Sequence, residues 1–264
     1  MPTVPVNISK EEELKYVLLH FWDGLDFKDT LRSHNRDFIE QNFSNYTLFL
    51  ANAPDEASRD EAVNALMKKA EADTAAYRLM ADVAQLYLYD PNSPMLNEES
   101  YISFLKVLSN SPYIGEGQRQ RNAYLLVTAQ KNRSGMTAAD FPFVTREGLK
   151  TTLHDFKQKG NLLLIFYDPD CDNCKEIIRS LSSNPQLKEM IGKGEVTVLA
   201  IYSGEEKDLW EKTSGELPEE WNVGFDNGYI DENDLYYFQA SPTIYLLDEN
   251  KKVLVKDLPP SQLL

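Results

Sequence analysis

In the first half of the chain, apolar residues recur three and four positions apart, which is the spacing of one face of an α-helix. Ser9 and Glu12 have the spacing of a capping box, and apolar residues from Leu14 to Trp22 follow at helical period. The same spacing predicts five further helices, at about residues 35–51, 56–72, 74–89, 98–109 and 116–131. The pattern therefore predicts an all-α domain over residues 1–134.

The pattern changes at "KNRSG", residues 131–135, where short β-rich segments replace the helical period. A hairpin is predicted around Glu147 and Gly148, followed by a buried strand, "NLLLIFY". A helix from about Cys171, a helical piece "PQLKEMI" and a strand "EVTVLAIYS" complete a βαβ unit, which requires parallel strands. "SPTIYLLDENKKVLVKD" then predicts an antiparallel hairpin. Residues 135–264 are therefore expected to form an α/β domain with a mixed central sheet.

Composition narrows the partners and the location. The chain has 42 acidic and 27 basic residues, a formal charge of -15, and no basic stripe that could neutralise phosphates, so we expect no nucleic-acid partner. No apolar run reaches the roughly 18 residues of a membrane span, and we expect no transmembrane segment in this chain. The start, "MPTVPVNISKEEE", lacks the basic and apolar segments of a signal peptide. The protein is therefore expected to be cytosolic, or to have lost its signal.

The chain has only two cysteines, and they lie three positions apart where the buried strand meets the next helix. A thiol at the start of a helix, as predicted for Cys171, meets unpaired backbone N–H groups and the positive end of the helix dipole, and both favour the thiolate. Cys174 follows one helical turn later, close enough to form a disulfide with it. This spacing indicates thiol-disulfide chemistry.

Three other interpretations of this segment are a zinc site, a calcium-binding loop and a structural disulfide. A structural zinc site needs four ligands, and the only additional His candidates are His20, His34 and His154. Asp168, Asp170 and Asp172 imitate the start of a calcium loop, but Asn173 and Arg179 stand where that loop needs Gly and Glu. We therefore expect no metal. A purely structural disulfide stays open, although so small a ring would stabilise the fold little.

Two segments resemble thioredoxin-like proteins of the TlpA and ResA type. "GMTAADF", followed by "REGLKTTLHDFKQKGNLLLIFYDPDCDNC", is similar to their opening segment, glycine hairpin and apolar strand running into Cys-x-x-Cys. "ASPTIYLLDENKKVL" resembles their second signature, a cis-proline loop followed by hairpin strands. The resemblance covers about residues 135–258.

This resemblance implies roles for individual residues. Cys171 would attack a disulfide and Cys174 would resolve the mixed disulfide. Pro242 would be the cis-proline, with Thr243 after it, and the backbone of Ser241 would pair with the substrate strand. The implied partners are a disulfide-bearing protein and a separate thiol electron donor, and no cofactor is expected.

The N-terminal half, particularly "YLYDPNSPMLNEESYISFLKVL", is similar to a helical domain of unknown function attached to such thioredoxin-like domains in bacterial envelope proteins. This similarity implies no known activity. It does imply a periplasmic or cell-envelope setting, reached after removal of a signal peptide that this chain does not contain.

The chain also departs from the family pattern. Ile165 stands where thioredoxin has a buried aspartate, Asp170 replaces the Trp before the first cysteine, and Asp172 and Asn173 replace Gly-Pro, without the His of strong oxidants. Carboxylates beside Cys171 disfavour a second negative charge, so we expect a weakly stabilised thiolate and a reducing dithiol. Aspartate and asparagine are equally typical of turns and helix caps, so both interpretations stay open.

Three hypotheses for function follow. The first is an oxidoreductase that reduces disulfides of envelope proteins. The alternative is a binding protein, in which the helical domain recognises a partner and the thioredoxin-like domain is redox-inactive. It is favoured by the missing buried acid and by "LPPSQLL", residues 258–264, which supplies only the beginning of the helix that normally ends the fold. A peroxidase ranks last, because Asp168 stands where peroxiredoxins have Thr or Ser.

Overall fold

The computed structural model of the protein describes residues 2–256, which divide into two compact units that follow one another at Gln130 and Lys131. The first unit is helical, and the second is built on a seven-stranded mixed sheet with helices. The predicted fold class is therefore confirmed.

The first unit contains seven helices among its described residues. They are α1 (Lys10–His20), α2 (Thr30–Ser33), α3 (Arg36–Ala51), α4 (Glu56–Ala70), α5 (Thr74–Leu88), α6 (Glu98–Leu108) and α7 (Glu116–Ala129). The capping box is confirmed: the Glu12 N–H donates to Ser9 Oγ at 3.2 Å, and the Ser9 N–H donates to Glu12 Oε2 at 2.8 Å. The six predicted helices are present within two residues of their predicted ends. The single turn α2 was not predicted, because four residues are too few to show a helical period.

The second unit alternates strands and helices. Its elements are β1 (Pro142–Thr145), β2 (Lys150–Thr152), β3 (Asn161–Tyr167), α8 (Asp172–Ser183), α9 (Pro185–Lys193), β4 (Val196–Tyr202), α10 (Lys207–Thr213), a 3-10 turn (Ser214–Glu216), β5 (Asn222–Phe225), α11 (Tyr229–Glu232), β6 (Thr243–Leu247) and β7 (Val253–Val255). The strand order in the sheet is β2-β1-β5-β4-β3-β6-β7. The pairs β3/β4 and β4/β5 are parallel, and the remaining pairs are antiparallel.

Both hairpins and the parallel β3–α8–α9–β4 unit are confirmed. Strand β5 was not predicted, although it lies between β1 and β4 in the sheet. It has four residues, including Asn222 and Gly224, which are unfavourable in strands. A Cβ at Gly224 would overlap the Phe143 and Ile201 side chains, so glycine is required there, and β5 is a strand because its backbone pairs with β1 and β4.

Strand β3 joins two cores because successive side chains of a strand point to opposite faces. Leu163, Ile165 and Tyr167 belong to one buried cluster, and Leu162, Leu164 and Phe166 belong to the other, on the opposite face of the sheet. An apolar run of this kind is typical of a central strand covered on both sides. It ends at Tyr167, immediately before the turn that carries the cysteines.

Two further expectations from the sequence concern a terminal helix and the absence of a transmembrane segment. The expected start of a terminal helix, in residues 258–264, lies outside the described residues. Within residues 2–256, every helix is too short or too polar to cross a bilayer.

The turn before β3 gives a test of the sheet packing. Gly160 has φ +62°, and a Cβ there would overlap the carbonyl oxygen of Glu195, the residue before β4. We expect Gly160→Ala to lower the free energy of unfolding by about 3 kcal/mol or more, from left-handed strain plus this overlap. Gly148→Ala is the matched control, because Gly148 has φ +81° with open space around it, and should cost only about 1 kcal/mol. Equal urea midpoints for the two variants would contradict this account.

Candidate active site

The cysteines lie in a turn that Asp168 organises. The Cys171 N–H donates to the Asp168 carbonyl at 3.2 Å, and the Asp170 N–H donates to Asp168 Oδ1 at 2.8 Å. The second bond is an Asx turn, in which a short carboxylate holds the backbone two residues later. Turn chemistry therefore accounts for Asp168, which sequence reasoning had not placed among the candidate site residues.

Cys171 is the N-cap of α8, whose first residue is Asp172. Its sulfur accepts the Cys174 N–H at 3.4 Å, in the position where a Ser or Asp oxygen caps most helices. A sulfur in this position faces the unpaired N–H groups of the first helical turn. The predicted helix start at Cys171 is thus observed.

The two sulfurs have different surroundings. Both cysteines are free thiols, but Cys171 is partly exposed whereas Cys174 is fully buried. Burial raises the pKa of the Cys174 thiol to about 12, and the nearby Cys171 sulfur and Asp168 carboxylate add to the rise. Cys174 is therefore a neutral thiol under ordinary conditions, with Cys171 as its outer neighbour.

Asp170, Asp172 and Asn173, the residues predicted to tune the redox potential of the pair, have different surroundings. Asp170 is exposed, and the Asp172 carboxylate is fully exposed with Lys175 Nζ at 3.7 Å. A surface ion pair of this kind contributes little to stability and leaves the Asp172 charge in solvent. Asn173 is also exposed, but its Nδ2 donates to the Ser241 carbonyl at 2.7 Å. Of the three, Asn173 is therefore the one whose side chain is hydrogen-bonded to the loop at Ser241.

That loop lies beside the cysteines. The Ser241–Pro242 peptide bond is cis, and the Ser241 carbonyl oxygen is 3.9 Å from Cys171 Sγ. Thr243 is buried, opens β6, and donates from Oγ1 to the Ala240 carbonyl at 2.6 Å. The predicted residues Cys171, Cys174 and Ser241–Thr243 therefore come together in one place.

Beneath the cysteines the protein is apolar. Ile165, which stands where thioredoxin has an aspartate, is fully buried in the same cluster as Cys174. Tyr167 is also in this cluster; its hydroxyl is buried without a hydrogen-bond partner among the described residues, and burial raises its pKa. A buried acid is thus absent from this position of β3, and a phenol two residues later is the nearest ionisable group on the same face of the strand.

Among residues 2–256, no group of three or more His, Cys, Asp or Glu side chains is arranged to hold a metal ion.

A Cys-x-x-Cys pair at the end of a buried central strand, beside a cis-proline loop and on a mixed sheet with helices, defines a thioredoxin-like protein.

Comparisons with known proteins agree with this class. The family DUF5106, a domain of unknown function, matches residues 1–132. A thioredoxin-like protein from Bacteroides caccae has 34% sequence identity and a TM-score of 0.85, with an alignment that covers 100% of this chain and 95% of that chain. No curated protein matches the chain significantly.

Two structures from Bacteroides fragilis align with half of the chain. A conserved protein of unknown function is 39% identical, covering 50% of this chain and 96% of that one, with a TM-score of 0.47. The C-terminal domain of an uncharacterised protein is 36% identical, covering 50% and 94%, with a TM-score of 0.48. From the DUF5106 match and the full-length Bacteroides caccae relative, the chain belongs to the DUF5106 family and is a thioredoxin-like protein with a helical N-terminal domain.

The difference between the two thiols predicts their order of alkylation. In the reduced native protein at pH 8, iodoacetamide should label Cys171 and spare Cys174, because Cys174 is buried and protonated. Mass spectrometry should find one label on each native chain and two after unfolding in urea. A Cys171→Ser variant should take up no label while folded. Native labelling of Cys174 at the rate of Cys171 would contradict the assigned geometry.

Proposed function

We propose that this protein is a thiol-disulfide oxidoreductase that reduces disulfides of envelope proteins. The observation that best supports this proposal is the pair of thiols: Cys171 is partly exposed at a helix N-terminus, and Cys174, one turn further on, is buried and has a raised pKa. The outer sulfur can reach a second protein, and the inner sulfur is protected until it is needed.

The proposed reaction has two exchanges. The Cys171 thiolate attacks a client disulfide, so that a bond forms between Cys171 and one client sulfur while the other leaves as a thiolate. Cys174 then loses its proton to the released client thiolate and attacks Cys171. The mixed disulfide breaks, the second client sulfur leaves, and a Cys171–Cys174 disulfide remains. Two electrons pass to the client, and a separate dithiol donor must restore the pair.

Client recognition would use the loop Ser241–Thr243. Ser241 is exposed, and its carbonyl faces the cysteine turn at 3.9 Å from Cys171 Sγ. An extended client segment pairing with this backbone would bring its own disulfide to Cys171, with little dependence on its sequence. Thr243 would hold the loop in place through its bond to Ala240.

The proposed direction rests on charge. Strong oxidants stabilise their reduced form as a thiolate, and this site has exposed carboxylates at Asp170 and Asp172 and no histidine between its cysteines. Asn173 adds no positive charge. We therefore assign the pair a reducing role, in the envelope setting that the resemblance of the helical half implies.

The equilibrium reduction potential tests this direction. In graded dithiothreitol and glutathione buffers at pH 7, the pair should show a two-electron transition below about -230 mV, near thioredoxin's value of about -270 mV. A value near the roughly -120 mV of DsbA would make the protein an oxidant instead. A pair that never forms a disulfide would leave no redox function.

The rival hypothesis is a binding protein with a redox-inactive thioredoxin-like domain, and the apolar Ile165 beneath the cysteines is the observation that favours it. The variant Cys174→Ser separates the two hypotheses, because it can form the mixed disulfide but cannot resolve it. An oxidoreductase should accumulate mixed disulfides with envelope proteins, visible as dithiothreitol-sensitive bands, whereas the matched Cys171→Ser variant should trap none. If both variants trap nothing while wild type keeps its partners, the binding hypothesis takes precedence.

A further inference from the structure

The Ser241 carbonyl, which the proposed function assigns to client binding, already has a hydrogen-bond donor within the chain. Asn173 Nδ2 lies 2.7 Å from it, a short distance for an amide–carbonyl bond. The two residues are 68 positions apart, and both are exposed, so the bond lies on the surface that a client would approach. The amide must present its nitrogen here, because its oxygen would repel the carbonyl.

A client strand that pairs with the loop would bring one of its N–H groups to the carbonyl oxygen that Asn173 now binds. In antiparallel pairing, the opposing residue donates its N–H to this carbonyl and accepts in return. The carbonyl has a second lone pair, but Cys171 Sγ already lies 3.9 Å from the same oxygen. An incoming client N–H must therefore displace the Asn173 amide or crowd against the Cys171 sulfur.

From this contact, and resting on the proposed function, we propose that Asn173 is an internal competitor for the peptide-binding carbonyl. It occupies Ser241 in the free protein and leaves when an extended backbone binds. Asn173 is thus a specificity-determining residue for peptide disulfides. Disulfides without a peptide backbone react with Cys171 and leave the Asn173 bond intact.

The competing account is that Asn173 braces the first turn of α8 against the loop and has no part in selection. The two accounts make opposite predictions. Loss of a brace would loosen the geometry around Cys171 for every disulfide and would weaken peptide binding. Loss of a competitor would strengthen peptide binding, with a smaller effect on the reaction with small disulfides.

The experiment oxidises the pre-reduced full-length protein in a single turnover, which needs no electron donor. One oxidant is the disulfide dimer of the pentapeptide acetyl-Ala-Ala-Cys-Ala-Ala-amide, and the other is bis(2-hydroxyethyl) disulfide. The variant is Asn173→Ala. The matched control is Asn233→Ala, which removes another exposed asparagine whose Nδ2 donates to a carbonyl, that of Tyr229 at 2.9 Å, outside the two loops that carry the site.

We expect Asn173→Ala to lower the half-saturating peptide concentration by about three- to tenfold, the size of one exposed hydrogen bond. Any change in its rate constant with bis(2-hydroxyethyl) disulfide should be smaller than the change in peptide saturation, and Asn233→Ala should change neither. Weaker peptide saturation, or equal changes with both oxidants, would overturn the competitor role. Failure of wild type to react with either disulfide would overturn the proposed function, and this inference with it.

Discussion

The register between β3 and β6 is the constraint on which the site depends. Phe166 pairs with Thr243 and Ile165 with Ile244, so β6 begins opposite the end of β3. Because the two strands are antiparallel, the loop that enters β6 and the turn that leaves β3 meet at one edge of the sheet. A slip of one residue would move Ile165 and Tyr167 to the other core, which the buried side chains on both faces of β3 prevent. The same apolar run thus builds the core and places the cysteines beside the cis-proline loop.

The parts of this fold that sequence alone predicts are those with a local signal. The capping box at Ser9, the apolar run of β3 and the proline that opens α9 each act within a few residues. Strand β5 gave no such signal, because its role depends on β1 and β4, which lie far away along the chain. The bond between Asn173 and Ser241 escaped prediction for the same reason. A residue pattern identified both partners, but only the β3–β6 register brings them together.

The two thiols differ because Cys174 is buried among apolar side chains, whereas Cys171 is partly exposed beside the charged rim of the site. Ile165 and the surrounding apolar cluster keep Cys174 neutral, and the exposed carboxylates of Asp170 and Asp172 remain in solvent. An oxidant of the DsbA type gains its high potential by stabilising the reduced form. Here neither the buried thiol nor the acidic rim supplies that stabilisation. The apolar base and acidic rim of the site together, more than any single residue, favour the proposal that the cysteine pair is a reductant.

Cys171 has a structural role as well as a chemical one, since its sulfur is the hydrogen-bond acceptor at the start of α8. The atom that caps the helix is therefore the atom that would react. Serine is among the preferred N-cap residues, so its hydroxyl can take over the cap when it replaces Cys171. A Cys171→Ser chain thus removes the nucleophile and keeps the helix start, whereas alanine at this position would remove both. Serine is for this reason the substitution that isolates the chemistry of Cys171 from its place in the fold.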